Sequence, residues 1–98
     1  MKVSLTRDAR NDLVVIGRHI AKDNPPRAVT FVAELEDAAQ RLGEMPRAFP
    51  LVPRYEHYGI RRRSYHGYGI LYAVRSDRIV VYRFLGPGQD HDRALRLN

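Results

Sequence analysis

The sequence predicts a small α+β fold of order β-α-α-β-β-β, with a helical hairpin packed on one face of a small antiparallel sheet. Three observations lead to this prediction. Apolar residues recur at helical spacing in the first half of the 98-residue chain. The apolar period changes to two after residue 59, and only short turns separate the later segments. Two amphipathic helices must bury their apolar stripes, and the sheet offers the surface for it. We expect residues 1–98 to form a single domain.

The chain begins with a predicted short strand followed by a helix. Lys2–Leu5 alternates weakly, and Thr6 is a residue type that caps a helix N-terminus. The apolar stripe of this first helix consists of Ala9, Leu13, Ile16 and Ile20. We expect the helix to end near Lys22, because a proline pair follows soon after it.

A second helix is predicted to begin almost at once. Asn24 is a capping residue, and Pro25 suits the first helical position, where no N–H donor is needed. The apolar residues that repeat at helical spacing are Ala28, Phe31, Val32, Leu35, Ala38, Ala39 and Leu42. Gly43 is predicted to lie just past the helix end. Two helices with so short a link should form an antiparallel hairpin.

The second half predicts a packed loop and a three-stranded meander. Residues 46–59 are rich in proline and carry three apolar side chains that need cover, namely Phe49, Leu51 and Val52. The strands are expected at Ile60–His66, Tyr68–Arg75 and Arg78–Leu85. The last of these is apolar on both faces, so it should lie inside the sheet. The tail, Gln89–Asn98, should form a short helix or lie across the sheet.

Charge and cysteine content narrow the classes of function. The net charge is +6, and residues 50–98 hold 9 basic and 4 acidic side chains. This asymmetry predicts an anionic partner, either nucleic acid or an acidic protein. The absence of cysteine excludes disulfides, thiolate metal sites and cysteine nucleophiles. No apolar run is long enough for a membrane span and no apolar signal core is present, so we expect a cytoplasmic protein.

Two stretches of the chain carry a resemblance to a known family. The first-helix segment RNDLVVIGRHIAKDNP and the strand pair GILYAV and RIVVYRFL, in this order of elements, resemble the ParE/RelE superfamily of type II toxin–antitoxin toxins. The resemblance runs from about Leu5 to Leu95 and is to the ParE-like branch. That branch typically ends in leucine-His-Gly-x-Gln-Asp. This chain departs from it at two positions, where Gly86 and Pro87 replace the His and the Gly.

The resemblance implies two alternative activities. ParE-like toxins inhibit DNA gyrase by binding, with no catalysis or cofactor of their own, and serve plasmid stabilisation. RelE-like toxins are metal-independent endoribonucleases that cut mRNA on the ribosome. In both branches a cognate antitoxin, ParD-like in the first, neutralises the toxin in a hetero-oligomer. We predict the gyrase inhibitor. An inactive homologue that only binds antitoxin is a third alternative, which Gly86 and Pro87 leave open.

The ribonuclease alternative needs a base, cations around the phosphorane and an acid. The candidates are, as base, Glu56 or His57; as cations, Arg61, Arg62, Arg63 and Arg83; as acid, His91 or Tyr65. The turn Gly86–Gln89 has no charge to contact a phosphate, and Asp90 and Asp92 would repel RNA from His91. These residues favour an inhibitor over an enzyme. Asp90–Asp92 are interpreted as solvated turn residues and not as a metal site, since adjacent residues rarely converge on one ion.

A binding role uses the same region of the chain. The residues predicted to contact the target or the antitoxin are Arg61, Arg62, Arg63, Tyr65, Gln89, Asp90 and His91. The three consecutive arginines should lie on an edge strand, with Arg62 pointing opposite to its neighbours and all three heads solvated. Arg83 interrupts an apolar strand, so it should pair with Asp12 or Glu36 or open onto a cleft. An apolar groove of the helical layer should receive an amphipathic helix of the antitoxin.

Overall fold

The secondary-structure elements follow the predicted order. The computed structural model describes residues 1–95, and its elements are β1 (Lys2–Leu5), α1 (Arg7–Ala21), α2 (Pro25–Gln40), β2 (Ile60–Tyr65), β3 (Tyr68–Val74), β4 (Arg78–Leu85) and α3 (His91–Leu95). One-turn 3-10 helices lie at Arg41–Glu44 and Glu56–Tyr58. Of the predicted tail, Gln89 and Asp90 are not helical, His91–Leu95 is helical, and residues 96–98 lie outside the described residues.

The four strands form one sheet in the order β1-β4-β3-β2. The meander β2-β3-β4 is antiparallel and β4 is an inner strand, as predicted. The prediction of a wholly antiparallel sheet is wrong in one respect. β1 pairs parallel with β4, so the sheet is mixed. The connection that follows β1 contains two helices and a loop, which is long enough for the crossover that a parallel pair requires. His66 and Gly67 join β2 to β3 with φ of 49° and 82°, the left-handed pair of a tight hairpin turn.

The predicted caps of the two long helices are present. The Ala9 N–H donates to Thr6 Oγ1 at 3.0 Å, and the Arg27 N–H donates to Asn24 Oδ1 at 3.1 Å. The role predicted for Gly43 is wrong, because α2 ends at Gln40 and Gly43 lies inside the following 3-10 turn. The Gly43 backbone instead packs closely against the backbone of Met1, because a Cβ at this position would lie 2.2 Å from the Met1 carbonyl oxygen.

Two apolar clusters cover the two faces of the sheet. The helix-side cluster is formed by buried residues of α1, α2 and the sheet, among them Leu13, Ile16, Phe31, Leu35, Ile70, Tyr72, Val81 and Phe84. The second cluster consists of Val52, Tyr55, Ile60, Leu71, Ala73 and Leu85, with Ala94 and Leu95 of α3 packed against it. The loop of residues 46–59 is packed as expected, although Leu51 remains 38% exposed. Both predicted alternatives for the tail therefore hold for α3, which is helical and lies on the sheet.

A buried ion pair joins α1 to β4. Asp12 accepts hydrogen bonds from Arg83 Nε at 2.7 Å and Nη2 at 2.8 Å, and from the Phe84 N–H at 2.9 Å. The side chains of Asp12 and Arg83 are only 11% and 22% exposed. The hydrogen bond to Asp12 raises the pKa of Arg83 despite the opposing effect of burial. The predicted pairing of Arg83 is confirmed, with Asp12 and not Glu36 as its partner.

Removing either member of this pair should destabilise the fold. Arg83→Ala leaves the Asp12 carboxylate without its counter-ion and is expected to lower the free energy of unfolding by about 3 kcal/mol. Asp12→Ala should cost a similar amount, because it also leaves the Phe84 N–H without its acceptor. Urea unfolding measures both. The matched control is Asp37→Ala, which breaks an exposed pair with Arg41 and should change stability little. An Arg83→Ala chain that melts normally but loses toxicity would contradict the structural role.

Candidate functional site

The three consecutive arginines of β2 point to both faces of the sheet. Arg61 Nη1 donates to the Phe49 carbonyl at 2.7 Å. Arg63 Nη1 donates to the Ala38 carbonyl at 2.9 Å, and its guanidinium lies 5.1 Å from the centre of the Phe49 ring. Arg62 faces the other way, as predicted. The prediction of three solvated heads is wrong, because all three residues are half-buried. Their donors find backbone carbonyls and His91, which a sequence pattern does not reveal.

The outer edge of β2 is partly covered by the preceding loop. β2 is an edge strand, as predicted. The Val52 N–H donates to the Ile60 carbonyl at 2.8 Å, and the Arg62 N–H donates to the Pro50 carbonyl at 3.0 Å. The loop thus occupies the start of this edge, so the arginines serve to hold the loop and α2 as well as to charge the edge.

Tyr65, a predicted binding residue and candidate acid, links β2 to α2. Its hydroxyl donates to Glu34 Oε1 at 2.7 Å, and Glu34 also pairs with Arg27. The hydrogen bond from Arg27, followed by that from Tyr65, lowers the pKa of Glu34. The bond to Glu34 raises the pKa of Tyr65, which makes the phenol a poorer proton donor. These contacts give Tyr65 a structural role between the hairpin and the helix.

Arg62 and His91 are the two candidate nuclease residues that the fold brings into contact. Arg62 Nη1 lies 2.9 Å from His91 Nε2. Burial, and then the positive charge of Arg62, lower the pKa of His91, while Asp90 and Asp92 act more weakly in the opposite direction. A guanidinium only donates, so the imidazole nitrogen accepts and the ring is neutral.

The other candidate nuclease residues do not join this contact. Arg83 is held by Asp12 and by the Ala94 carbonyl, to which its Nη1 donates at 2.7 Å. Glu56 is exposed in its 3-10 turn, and among the described residues no side-chain hydrogen bond ties it to Arg62, Arg83 or His91. The arrangement supplies a cation and a neutral imidazole, without a base and an acid converging on one point.

The interpretation of Asp90–Asp92 as solvated turn residues is confirmed for Asp90, which is exposed, and is wrong for His91 and Asp92, which are half-buried. Asp92 is half-buried and accepts hydrogen bonds from the Tyr55 hydroxyl and from Arg54 Nη2, the latter at 2.8 Å. The Tyr55 hydrogen bond is the main cause that lowers the pKa of Asp92, and the same bond raises the pKa of Tyr55. Asp90 Oδ1 accepts from the Asp92 N–H at 2.9 Å. The contacts of Arg54 and Tyr55 with Asp92 are not predicted from the sequence, in which a tyrosine in a packed loop is the one feature that points to them.

The turn after β4 separates two clefts. The Gln89 N–H donates to the Gly86 carbonyl at 3.2 Å, and Gly88 has φ of 78°, which gives a Pro-Gly turn of type II. Gln89 Oε1 accepts from the Gly86 N–H at 2.6 Å. One cleft of about 430 Å³ is lined by Arg83, Leu85, Gly88, Gln89, Asp90, Arg93 and Ala94. The other, of about 390 Å³, is lined by Val15, Ile16, His19, Tyr68, Gly86, Pro87 and Gln89. Gln89 and Asp90 are exposed here, so they remain predicted contact residues.

Two further observations concern metals and membranes. Within residues 1–95, no cluster of His, Asp and Glu side chains is arranged to hold a metal ion. In the same part of the chain, no helix combines the length and the apolar character that crossing a bilayer requires.

Comparisons with known proteins agree with the fold and define the family. The order β-α-α-β-β-β, with two helices packed on a four-stranded mixed sheet, is that of the RelE/ParE-like toxins. Residues 3–91 match the model of the ParE toxin of the type II toxin–antitoxin system parDE, and the chain belongs to this family. It is thus a toxin of the ParE/RelE superfamily, as its sequence predicted. No curated protein sequence matches the chain significantly.

Two solved structures illustrate the likeness. A chain of the chromosomal ParDE toxin–antitoxin system from P. aeruginosa is 21% identical with a TM-score of 0.77, and the match covers 89% of this chain and 96% of that chain. A chain of the toxin–antitoxin complex RelBE2 from Mycobacterium tuberculosis is 25% identical with a TM-score of 0.64, and the match covers 87% of this chain and 95% of that chain.

The contacts of the β2 arginines predict a stability effect. Arg61→Gln and Arg63→Gln each remove a charged hydrogen bond to a backbone carbonyl, and each should lower the free energy of unfolding by about 1.5 kcal/mol. Thermal unfolding measures the effect. Arg18→Gln on the exposed surface of α1 is the control and should melt with the parent chain. If both β2 variants melt at the same temperature as the parent chain, the prediction that these guanidinium groups are solvated would be supported instead.

Proposed function

We propose that this toxin inhibits DNA gyrase by binding it, and that an acidic antitoxin neutralises the toxin. The family supports this proposal, because the matching model is that of ParE toxins and the resemblance of the sequence is to the ParE-like branch. Inhibition by binding needs a folded surface and no group for proton transfer. The proposal therefore carries no catalytic residue and no cofactor.

The observation that carries the proposal is that the candidate nuclease side chains are engaged in contacts within the fold. Arg83 is engaged by Asp12 on one side and by α3 on the other. The hydroxyl of Tyr65 is engaged by Glu34. A cation that stabilises a transition state must be free to meet the charge that develops on the substrate. The turn Gly86–Gln89, which follows the last strand, has no charged side chain to do so.

The contact between Arg62 and His91 favours a second candidate function. A neutral imidazole beside a guanidinium is a combination that RNA cleavage uses, with the imidazole as base and the cation at the phosphate. On this alternative the toxin is a ribosome-dependent endoribonuclease. It would have to uncover both groups first, because His91 and Arg62 are half-buried.

The surface of the toxin supports an acidic antitoxin with an amphipathic helix. The net charge of +6 favours a partner of opposite sign. The helical hairpin exposes three large apolar side chains: Val14 at 48%, Val15 at 54% and Val29 at 73%. Helices that dock in grooves bury such apolar residues. Both solved relatives come from toxin–antitoxin systems, which supports the same kind of partner here.

Purified toxin should inhibit DNA supercoiling by gyrase and leave naked RNA intact. Arg93→Glu should weaken inhibition about tenfold, because Arg93 is exposed in the cleft beside Gln89 and Asp90 and a reversed charge there disturbs an interface. The matched control is Arg10→Glu, an exposed charge reversal near the start of α1. Full supercoiling in the presence of the toxin, together with mRNA cuts in a translating extract that vanish in His91→Gln, would replace the inhibitor with the ribonuclease.

Association with the antitoxin should slow as salt is added. Opposite charges steer the encounter of the two proteins, and salt screens that attraction over about 10 Å at 0.1 M. Stopped-flow mixing at several ionic strengths measures the association rate, and the dissociation rate should change much less. An association rate indifferent to ionic strength would rule out an electrostatic role for the basic surface.

A further inference from the structure

The C-terminal helix α3 is held on the sheet by contacts with other elements. It has five residues, a length at which a helix is not stable alone in water. Within the described part of the tail, Ala94 and Leu95 are the side chains that pack against the second cluster. The described contacts that position α3 otherwise are polar anchors. These are Arg62 to His91, Tyr55 and Arg54 to Asp92, and Arg83 to the Ala94 carbonyl.

One of these anchors requires an uncharged imidazole. Arg62 Nη1 is 2.9 Å from His91 Nε2, and a guanidinium has no lone pair to offer. The contact is a hydrogen bond only while Nε2 is unprotonated. A proton on Nε2 would place two donors and two positive charges against each other at this distance. The other anchors involve a carboxylate with a lowered pKa and a backbone carbonyl, which stay acceptors near neutral pH.

The surroundings of the ring do not cancel this repulsion. The charged and titratable groups that contact α3 are Arg62 from β2, Arg83 from β4, and Arg54 and Tyr55 from the loop, and its own segment carries Asp90, Asp92 and the exposed Arg93. Asp92 is engaged by Arg54 and Tyr55. Burial and Arg62 outweigh the two carboxylates, so the pKa of His91 lies below its ordinary range.

We propose that α3 is a pH-responsive strap: the neutral ring of His91 holds it on the second face of the sheet, and protonation of that ring releases it. Release breaks the contact of Arg62 with His91 and the hydrogen bond from Arg83 to the Ala94 carbonyl. It also removes the cover that Ala94 and Leu95 give to the second cluster. The strap is a property of the fold and does not depend on whether the target is gyrase or the ribosome.

The sign of the effect follows from the lowered pKa of the docked ring. A histidine in the released segment titrates near 6.5, whereas the docked ring titrates at lower pH. Docking is therefore complete above about pH 6.5 and weakens as the pH falls below it. Between the two pKa values the docking equilibrium should fall by about tenfold per pH unit, the slope for one proton.

The test is an NMR titration of the full chain from about pH 7.5 to about pH 5, the range in which histidine changes charge. The ring signals of His91 report its protonation, and the heteronuclear NOE of the Ala94 and Leu95 amides reports the order of α3. We expect the NOE to fall with the midpoint of the ring titration. The signals of Leu35, in the helix-side cluster, should stay unchanged and show that the fold persists.

Three variants make the titration decisive. His91→Gln keeps an acceptor for Arg62 without a titrating group, so α3 should remain ordered at about pH 5. Arg62→Gln removes the repelling cation but leaves the ring buried, so the transition should move to lower pH. His19→Gln, on the exposed surface of α1, should leave the transition where it is. An α3 that stays ordered after His91 is protonated, or a transition that survives with the same midpoint in His91→Gln or Arg62→Gln, would overturn the proposal.

Discussion

The ion pair between Asp12 and Arg83 is the contact on which the assembly of the other elements depends. β1 pairs with β4 only as far as Val81, so beyond that point the edge of β4 that faces away from β3 has no strand beside it. Asp12 of α1 takes the Phe84 N–H there and binds the Arg83 guanidinium. Arg83 then reaches the Ala94 carbonyl of α3. Elements on opposite faces of the sheet are thereby tied to the end of one inner strand. A buried carboxylate must be paired to stay charged, which leaves few other ways to arrange these elements around Asp12.

Because some arginines are engaged within the fold, the charge that a partner can meet differs from the total charge of the toxin. Arg61 and Arg63 hold backbone carbonyls, and Arg83 is paired. Among the described residues, the exposed cations of the C-terminal half include Arg54, Arg75 and Arg93. A binding inhibitor can work with such exposed charges, since electrostatic steering acts at a distance. A nuclease needs its cations at the phosphate, and here they are largely engaged in the fold.

The second face of the sheet has a different construction from the helix side. Two long amphipathic helices cover the helix side with large apolar side chains, whereas the packed loop and the short α3 cover the other face. α3 meets the loop through the contacts of Tyr55 and Arg54 with Asp92, and it meets β2 through the contact of Arg62 with His91. Cover of this kind opens more easily than a helical layer, because less apolar surface is lost on opening. The two faces therefore differ in how firmly their covers are held by apolar packing.

The sequence by itself determined the order of the elements, the caps at Thr6 and Asn24, the inner position of β4 and the family, because these follow from local periodicity and from residue types that act on their neighbours in the chain. It also indicated that Arg83 needs a carboxylate. Only the tertiary structure decided that β1 runs parallel to β4, that Asp12 and not Glu36 is the partner, and that the arginines of β2 hold carbonyls of Phe49 and Ala38. These contacts join residues far apart in the chain. Backbone carbonyls carry no sequence signal, and strand direction is set by how the intervening helices pack, so no pattern along the chain encodes either of them.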